Sequence, residues 1–397
     1  MSNDEYLMDH KIIQNTLMIC FVMLAMASSA QKNWSLGGYV SDIQTAMFDT
    51  IKNAWSTENT IHNRLNFYYY PGNNITASIQ LRNRFIFGEW IEDIPGYADG
   101  IDQDKGWIDM SWNVFEENSF LLNLNADRLW TKFMKGNFEA TIGRQRINWG
   151  QTFVWNPNDI FNTYNFFDID YQEKPGSDAL RLQYYTGVAS VAEAAIKVNS
   201  QNEITAAGLY RFNKWEFDVQ VLAGILNSSD YIAGLGWTGY VKNAAFRGEI
   251  SYFHPSEHFE DTTGTLLAAT GFDYTFGNSL GIQAEYLYAE FAGPTAANFM
   301  DYYSSAISVK NLSFTKHNIF AQATYPFTPL LNGTLSAMAY PGINGYYIGP
   351  SLSYSLAENM DASIYIQHFT GEFYDPISMQ KIKQHFNLGF LKIKCNF

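Results

Sequence analysis

The chain has 397 residues, of which 17 % are aromatic and only 16 % charged, with a net charge of −14 and two cysteines. So acidic a balance excludes nucleic acid as a natural partner. Apolar residues make up 47 % of the chain but are spread so evenly that mean hydropathy is −0.20, unlike a helical membrane protein.

The first element is an export signal. Lys11 precedes an apolar stretch from Leu17 to Ala27, which ends in Ala25-Met26-Ala27-Ser28-Ser29-Ala30 with small residues at the last and third-last positions. This pattern predicts a signal peptide over 1–30, cut after Ala30. The stretch is about half of the roughly 20 apolar residues that a spanning helix needs, and no later run approaches that length. Met1 to Leu7 is acidic where a signal should be basic, which makes Met8 an alternative start. Cys20 falls inside the signal without the small residue before it that a lipoprotein site needs. Cys395 alone remains, so no intramolecular disulfide is expected. Losing one base (Lys11) and three acids (Asp4, Glu5, Asp9) from −14 leaves −12. Residues 31–397 read as one domain.

From there on the dominant period is two. In Ile75 to Gly88 one face carries Ile75, Ala77, Ile79, Leu81, Phe85 and Phe87, and the other Thr76, Ser78, Gln80, Arg82 and Arg84. Alternation of this kind recurs in Leu180 to Tyr184, Trp215 to Val221, Ala244 to Tyr252, Ile282 to Tyr288 and Asp361 to Gln367. Charged side chains on the polar face of strand after strand fit one sheet with lipid outside and water inside better than a two-sheet sandwich. Short turns are expected at Pro71 to Asn74, Met134 to Asn137, Phe212 to Lys214 and Phe276 to Ser279. Long outer loops are expected at about 88–117, 150–177, 253–262, 291–314 and 370–384. Nineteen candidate strands result, whereas termini on one side of the membrane require an even number. Assigning Trp107 to Phe115 to an outer loop leaves about 18 strands, with 16 compatible. The fold class is therefore all-β, a transmembrane antiparallel β-barrel.

The most distinctive stretch is Gly143-Arg144-Gln145-Arg146-Ile147-Asn148-Trp149-Gly150-Gln151, followed by Trp155-Asn156-Pro157-Asn158-Asp159-Ile160-Phe161. Over about 127–185 this resembles porin-like and alginate-export-like barrel proteins of the bacterial outer membrane, where a similar strand leads into a long loop. The resemblance implies the barrel class and no particular substrate. Parity would send Arg144 and Arg146 into lipid, at a cost of about 2–4 kcal/mol each at the midplane. A bulge at Gly143 is therefore expected to turn both inward, and a second irregularity near Asp127 to do the same for Arg128.

On this reading Arg64, Arg82, Arg84, Arg128, Arg144, Arg146 and Arg181 form a basic wall in the N-terminal half of the lumen. Glu216, Asp218, Glu249, Asp273 and Glu285 form an acidic wall in the other half, and the two set up a transverse field. The long loop, with Asp159, Asp168, Asp170 and Glu173, is expected to fold inward against the arginines as a constriction. The competing reading has these charges pairing only to hold the barrel in shape. Trp149, Trp155, Tyr164, Phe166, Phe167 and Tyr171 pack that loop or stack on sugars. His254 to Glu260 has metal-ligand residue types without tight spacing, so no metal and no cofactor are expected.

The chain closes with Leu391, Ile393, Cys395 and Phe397 on one face and Lys392, Lys394 and Asn396 on the other. A terminal Phe of this kind resembles the signal read by the barrel-assembly machinery. The expected function is a porin-like outer-membrane channel, not an enzyme, for passive or facilitated passage of small polar or anionic solutes, with outer-membrane lipid as its surroundings. A homo-oligomer is compatible with this reading. The alternatives are an export channel for an acidic polysaccharide and, in another class, a barrel enzyme acting on lipid.

Overall fold

In a computed structural model of the chain, residues 33–49, 55–164, 166–257, 259–290, 308–313, 315–375 and 380–397 are described. The segment 1–30 expected as a signal peptide and most of the loop expected at 291–314 lie outside these residues. The strands are β1 (Trp34–Phe48), β2 (Ser56–Gly72), β3 (Ile75–Gly88), β4 (Ser111–Glu117), β5 (Phe120–Lys135), β6 (Phe138–Gln145), β7 (Ser177–Gly187), β8 (Ser190–Val198), β9 (Ile204–Lys214) and β10 (Phe217–Leu226). They continue with β11 (Asp230–Val241), β12 (Ala244–Pro255), β13 (Thr265–Thr275), β14 (Gly281–Ala289), β15 (His317–Pro326), β16 (Leu331–Tyr340), β17 (Gly345–Ala357), β18 (Met360–Asp375) and β19 (Gln380–Asn396).

All belong to one antiparallel sheet that closes on itself. β1 pairs with β19 from Tyr39↔Asn396 to Phe48↔Asn387, and the seam ends where Gly38 and Phe397 exchange both backbone hydrogen bonds at 3.0 Å. Closure follows from the surroundings the alternation requires. In hydrocarbon no water satisfies an open strand edge, so every backbone N–H and C=O of the wall must find a neighbour. The outward residues of β3, among them Ile79, Leu81, Phe85 and Phe87, are exposed, as are Val221 of β10, Leu335 of β16 and Ile364 of β18, giving the cylinder an apolar exterior.

The cylinder has 18 strands. The extra candidate around Trp107 to Phe115 is a real but short strand, β4, that does not count in the wall. β3 pairs directly with β5, from Ile75↔Phe133 to Phe87↔Phe120, and β6 accompanies β5 only from Lys135 to Leu129. Above that point β4 takes the place beside β5, from Ser111↔Asn125 to Glu117↔Phe120. Before β4 lie two short helices, α1 (Trp90–Asp93) and α2 (Tyr97–Asp102).

Three local expectations are corrected. The β9–β10 turn is Trp215-Glu216, not Phe212 to Lys214; both residues adopt positive φ, 55° and 63°, a two-residue geometry that Asn-Gly would have advertised. The segment expected as a loop at 370–384 is mostly hairpin, since β18 and β19 stay paired from Thr370↔His385 to Asp375↔Gln380. No register shift marks Gly143 on either side of β6; the glycine instead takes φ 111°, and the chain leaves the wall two residues later. The irregularity near Asp127 does occur, as a register shift between Gln80↔Arg128 and Leu81↔Ala126.

A Cβ on Gly143 would lie 2.2 Å from the Leu129 carbonyl oxygen. Gly143→Val should therefore lower the stability of the refolded barrel by about 1–3 kcal/mol, read as a shift of the urea unfolding midpoint with little change in slope.

Candidate functional site, the loop folded into the lumen

Between β6 and β7 the chain does not return over the rim but runs through the barrel interior. One side of this inward loop, residues 146–176, docks on β8 to β16 through carboxylates that accept backbone N–H groups. Glu249 of β12 accepts from Gln151, from Thr152 at 2.9 Å and from Asn158 at 2.8 Å, and also from the Thr152 hydroxyl at 3.1 Å. Glu285 of β14 accepts from Phe153 at 2.7 Å and Trp155 at 2.8 Å. Glu193 of β8 takes the Trp149 indole N–H at 2.5 Å and a two-point contact from Arg181 at 2.7 and 2.8 Å. A loop without secondary structure leaves its N–H groups orphaned when buried, and these wall carboxylates supply the missing acceptors. Gln220 and Lys197 serve the opposite need, donating to the carbonyls of Trp149 (2.7 Å) and Phe161 (2.8 Å).

The docked face is apolar and buried. Ile147, Trp149, Val154, Trp155, Ile160, Phe161 and Phe167 form one cluster with inward-facing Leu209, Leu222, Phe253, Leu267, Leu287 and Phe320. Trp149, Trp155, Phe166 and Phe167 are packing residues, whereas the Tyr164 and Tyr171 rings lie beside the Lys174 ammonium and the Arg82 guanidinium on the loop's other side. Asp159 is closed in with them at 1 % exposure, with one oxygen on the Trp149 N–H at 3.3 Å and the other unpartnered. Burial pushes its carboxyl up to about 7, against the pull of the Trp149 N–H and Arg146.

The other side of the loop faces β1, β2, β3, β5 and β19 and is more exposed and charged. Asp170 meets His62 Nδ1 at 2.7 Å and Arg82 at 2.5 Å. Burial alone would raise this carboxyl; the facing Arg82 and His62 outweigh it and hold Asp170 well below the usual carboxylate range. Asp168 caps its own turn, accepting from the N–H groups of Asp170 and Tyr171 at 3.0 Å. Asp127, the bulge residue, binds Arg64 at 2.6 Å and Arg128 at 2.9 Å and accepts from the Tyr171 hydroxyl. Arg128 also donates to the carbonyls of Lys174 (2.5 Å) and Glu173 (3.1 Å), and Arg146 donates to Glu173 O at 3.3 Å. Lys392 reaches Ile169 O at 3.2 Å, and the Lys174 ammonium lies 3.9 Å from the centre of the Tyr164 ring.

The structure therefore brings Arg64, Arg82, Arg128, Arg146, Asp168 and Asp170 to one place and sends the other expected residues elsewhere. Arg144 stays in register with Leu129 and Asp178 and is tied to Asp104 (2.5 Å), Asp178 (2.7 Å) and Ile108 O (2.6 Å), so it fastens the segment before β4 instead of lining the ladder. Arg84 donates to Ile101 O and Asn123, both at 2.9 Å. Glu216 is in a turn and Asp218 next to it is exposed, held by Asn213 at 2.9 Å. Asp273 pairs with Arg247. Glu249 and Glu285 are sealed under the loop as N–H acceptors, so the described residues do not assemble the expected acidic wall opposite the arginines. Sequence reasoning missed His62, Asp127, Lys174 and Lys392. Alternation put His62 on the inward face two residues from Arg64, which was the available signal.

No family model matches the sequence, and no curated protein matches it. Among solved structures the fold is similar to OccAB3 of Acinetobacter baumannii (TM-score 0.56, 10 % identity, 91 % of this chain and 99 % of that one) and OpdQ of Pseudomonas aeruginosa (0.56, 9 %, 92 % and 99 %). It is also similar to OccK11 (OpdR) of P. aeruginosa (0.55, 7 %, 92 % and 96 %). At such identities the likeness is one of fold.

Replacing Glu249 and Glu285 together by Ala removes acceptors whose charged hydrogen bonds contribute about 1.5–3 kcal/mol each. The loop should become cleavable by protease within 146–176, with unchanged β-sheet circular dichroism. The raised Asp159 gives a pH dependence of known sign. Docking strength from this group is complete below the ordinary carboxylate range and is lost as pH rises through about 7. Amide protection in 146–163, corrected for the intrinsic pH dependence of exchange, should fall between about pH 4 and about pH 7, and Asp159→Asn should flatten that fall.

Proposed function

We propose that this chain is a porin-like channel of the bacterial outer membrane for small polar or anionic solutes, with the inward loop as its selective element. The observation that carries the reading is a closed wall, apolar outside, whose interior is narrowed by a loop fixed to one half of the lumen and facing a charged wall on the other. The fold shared with outer-membrane porins supports it. Short turns at one end and long connections at the other orient the barrel as in such proteins, with the short turns in the periplasm.

Selectivity is assigned to the partly exposed groups where loop and wall meet, Arg146, Asp170, Glu173 and Lys174 together with Arg82. Cations outnumber carboxylates on this side. Arg64, Arg82, Arg128, Arg146, Lys174 and Lys392 surround Asp127, Asp168, Asp170 and Glu173, so the field there favours anions. The field is local to the loop rather than spread across two walls. Transport of a polyanion finds less support. A track for an acidic polysaccharide needs free guanidinium forks in succession, and Arg64, Arg82 and Arg128 are already engaged with Asp127, Asp170 and loop carbonyls.

A hydrolytic barrel is also less well supported. Ser41 and His62 face each other across β1 and β2, with Asp170 on the imidazole. Both are closed off, at 1 % and 0 % exposure, and no hydrogen bond joins them, so the trio lacks both access and the nucleophile–base contact.

Planar-bilayer recording is the deciding test. Steady single-channel current with an anion-favouring reversal potential in a salt gradient is expected, and a sealed barrel would remove the reading. Arg146→Ala with Lys174→Ala should shift the reversal potential toward cations, whereas Arg144→Ala should leave it in place.

A further inference from the structure

The outward face of β1, β2 and β3 breaks the pattern of the wall. Asp42 and Gln44 of β1, Asn59 and Asn63 of β2 and Asn83 of β3 lie on the lipid-facing parity. Asp42 is opposite Ile61 on one side and Ile393 on the other, which are 39 % and 43 % exposed, while neighbouring Ser41 and His62 point inward and are buried. The pairings Gln44↔Asn59 and Asn63↔Asn83 place the amides side by side, and the Asn83 amide donates to Asn63 Oδ1 at 3.2 Å. The patch sits between two aromatic stacks, Trp34 on Phe67 toward the short-turn end and Phe48 on Trp55 toward the long-loop end, and so at membrane depth. On β10 the equivalent positions from Val219 to Ile225 are all aliphatic.

Hydrocarbon offers these groups nothing. Asp42 Oδ1 and Asn59 Oδ1 are shielded and have no hydrogen-bond partner among the described residues, and Gln44 beside them is exposed. A carboxylate and several amides left unsatisfied against lipid are costly, and they mark a place where another polar surface belongs.

We propose that this face is the contact between two copies of the chain in the membrane. The patch is self-complementary. It holds one acceptor-only carboxylate among four amides, and each amide carries donors as well as an acceptor. Turned outward from the strand surface, the Asp42 carboxylate and the Asn59 amide of one copy can be met by the Gln44 and Asn59 amides of the next, so a symmetric assembly satisfies both surfaces with the same residues. One carboxylate among amides asks for neutral donors rather than a cationic partner. The proposal rests on the wall being embedded in a bilayer and not on what passes through it.

The test uses the full chain in outer membranes, with Cys395→Ser as background. A single Asn63→Cys should give a bismaleimide-crosslinked species of twice the protomer mass, while Leu335→Cys on the outward face of β16 should not. Asp42→Leu with Asn59→Leu should lower the oligomeric fraction at least tenfold in mild detergent, with heat-modifiable electrophoretic mobility reporting that the barrel is folded. The proposal is overturned if Asn63→Cys gives no crosslink, if it gives only a product of unequal mass, or if the folded double variant keeps its oligomeric fraction. Should the double variant not fold, the crosslinking pair decides alone. Because the crosslink reads assembly and the bilayer recording reads conduction, either conclusion can fail without the other.

Discussion

Hydrocarbon leaves no water for a bare strand edge, and the architecture answers to that constraint first. The β1–β19 seam is its plainest expression, and the placement of β4 is another. When β6 leaves the wall at Gln145 to feed the inward loop, the upper half of β5 would face outward with an unpaired edge. β4 covers that edge from Asn125 to Phe120. A short strand that adds nothing to the count of the cylinder thus makes the inward turn of the next connection compatible with a closed sheet. Arg144, bound to Asp104, Asp178 and Ile108 O, secures the segment that delivers β4 to this position.

Inside the cylinder the same accounting of backbone groups decides how the lumen is divided. A loop crossing a barrel brings its own N–H and C=O groups into a confined space, where each needs a partner. Glu249 and Glu285 supply acceptors, Gln220 and Lys197 supply donors, and a cluster of inward-facing aliphatic and aromatic residues dries the contact. The loop's second side is left to the charged wall of β1, β2, β3 and β5, where carboxylates and guanidinium groups are shared between loop and strands. One half of the lumen is thereby packed like a protein core and the other is polar. On the proposed function, selectivity resides in the residues along their boundary, and the net field of the whole interior matters less.

Much of this was legible in the residues alone. Strict alternation identifies which side chains of β3, β10 or β12 face in and which face out, because the pleat reverses direction at every residue and only one face tolerates lipid. The closing strand at Leu391 to Phe397, the even number of wall strands and the irregularity at Asp127 could be read in the same way, whereas the inward course of the segment after Arg146 follows from no local pattern. Less legible was the turn at Trp215-Glu216, which lacks glycine and asparagine, so its left-handed backbone had no local advertisement.

What alternation cannot say is what stands opposite an inward side chain. Glu249 and Glu285 have the parity of lumen-lining acids, and nothing near them in the chain reveals that N–H groups about 90 to 130 residues away in sequence occupy their oxygens. Arg82 meets Asp170, and Asp127 meets Tyr171, only because the closed sheet and the path of the loop bring distant segments to one point. The sequence by itself determined the cylinder, since lipid on one side and water on the other impose a local, repeating rule on every strand. The tertiary structure alone decided which charges are free to meet a solute and which are spent holding the loop, because that depends on partners across the lumen for which no local rule exists.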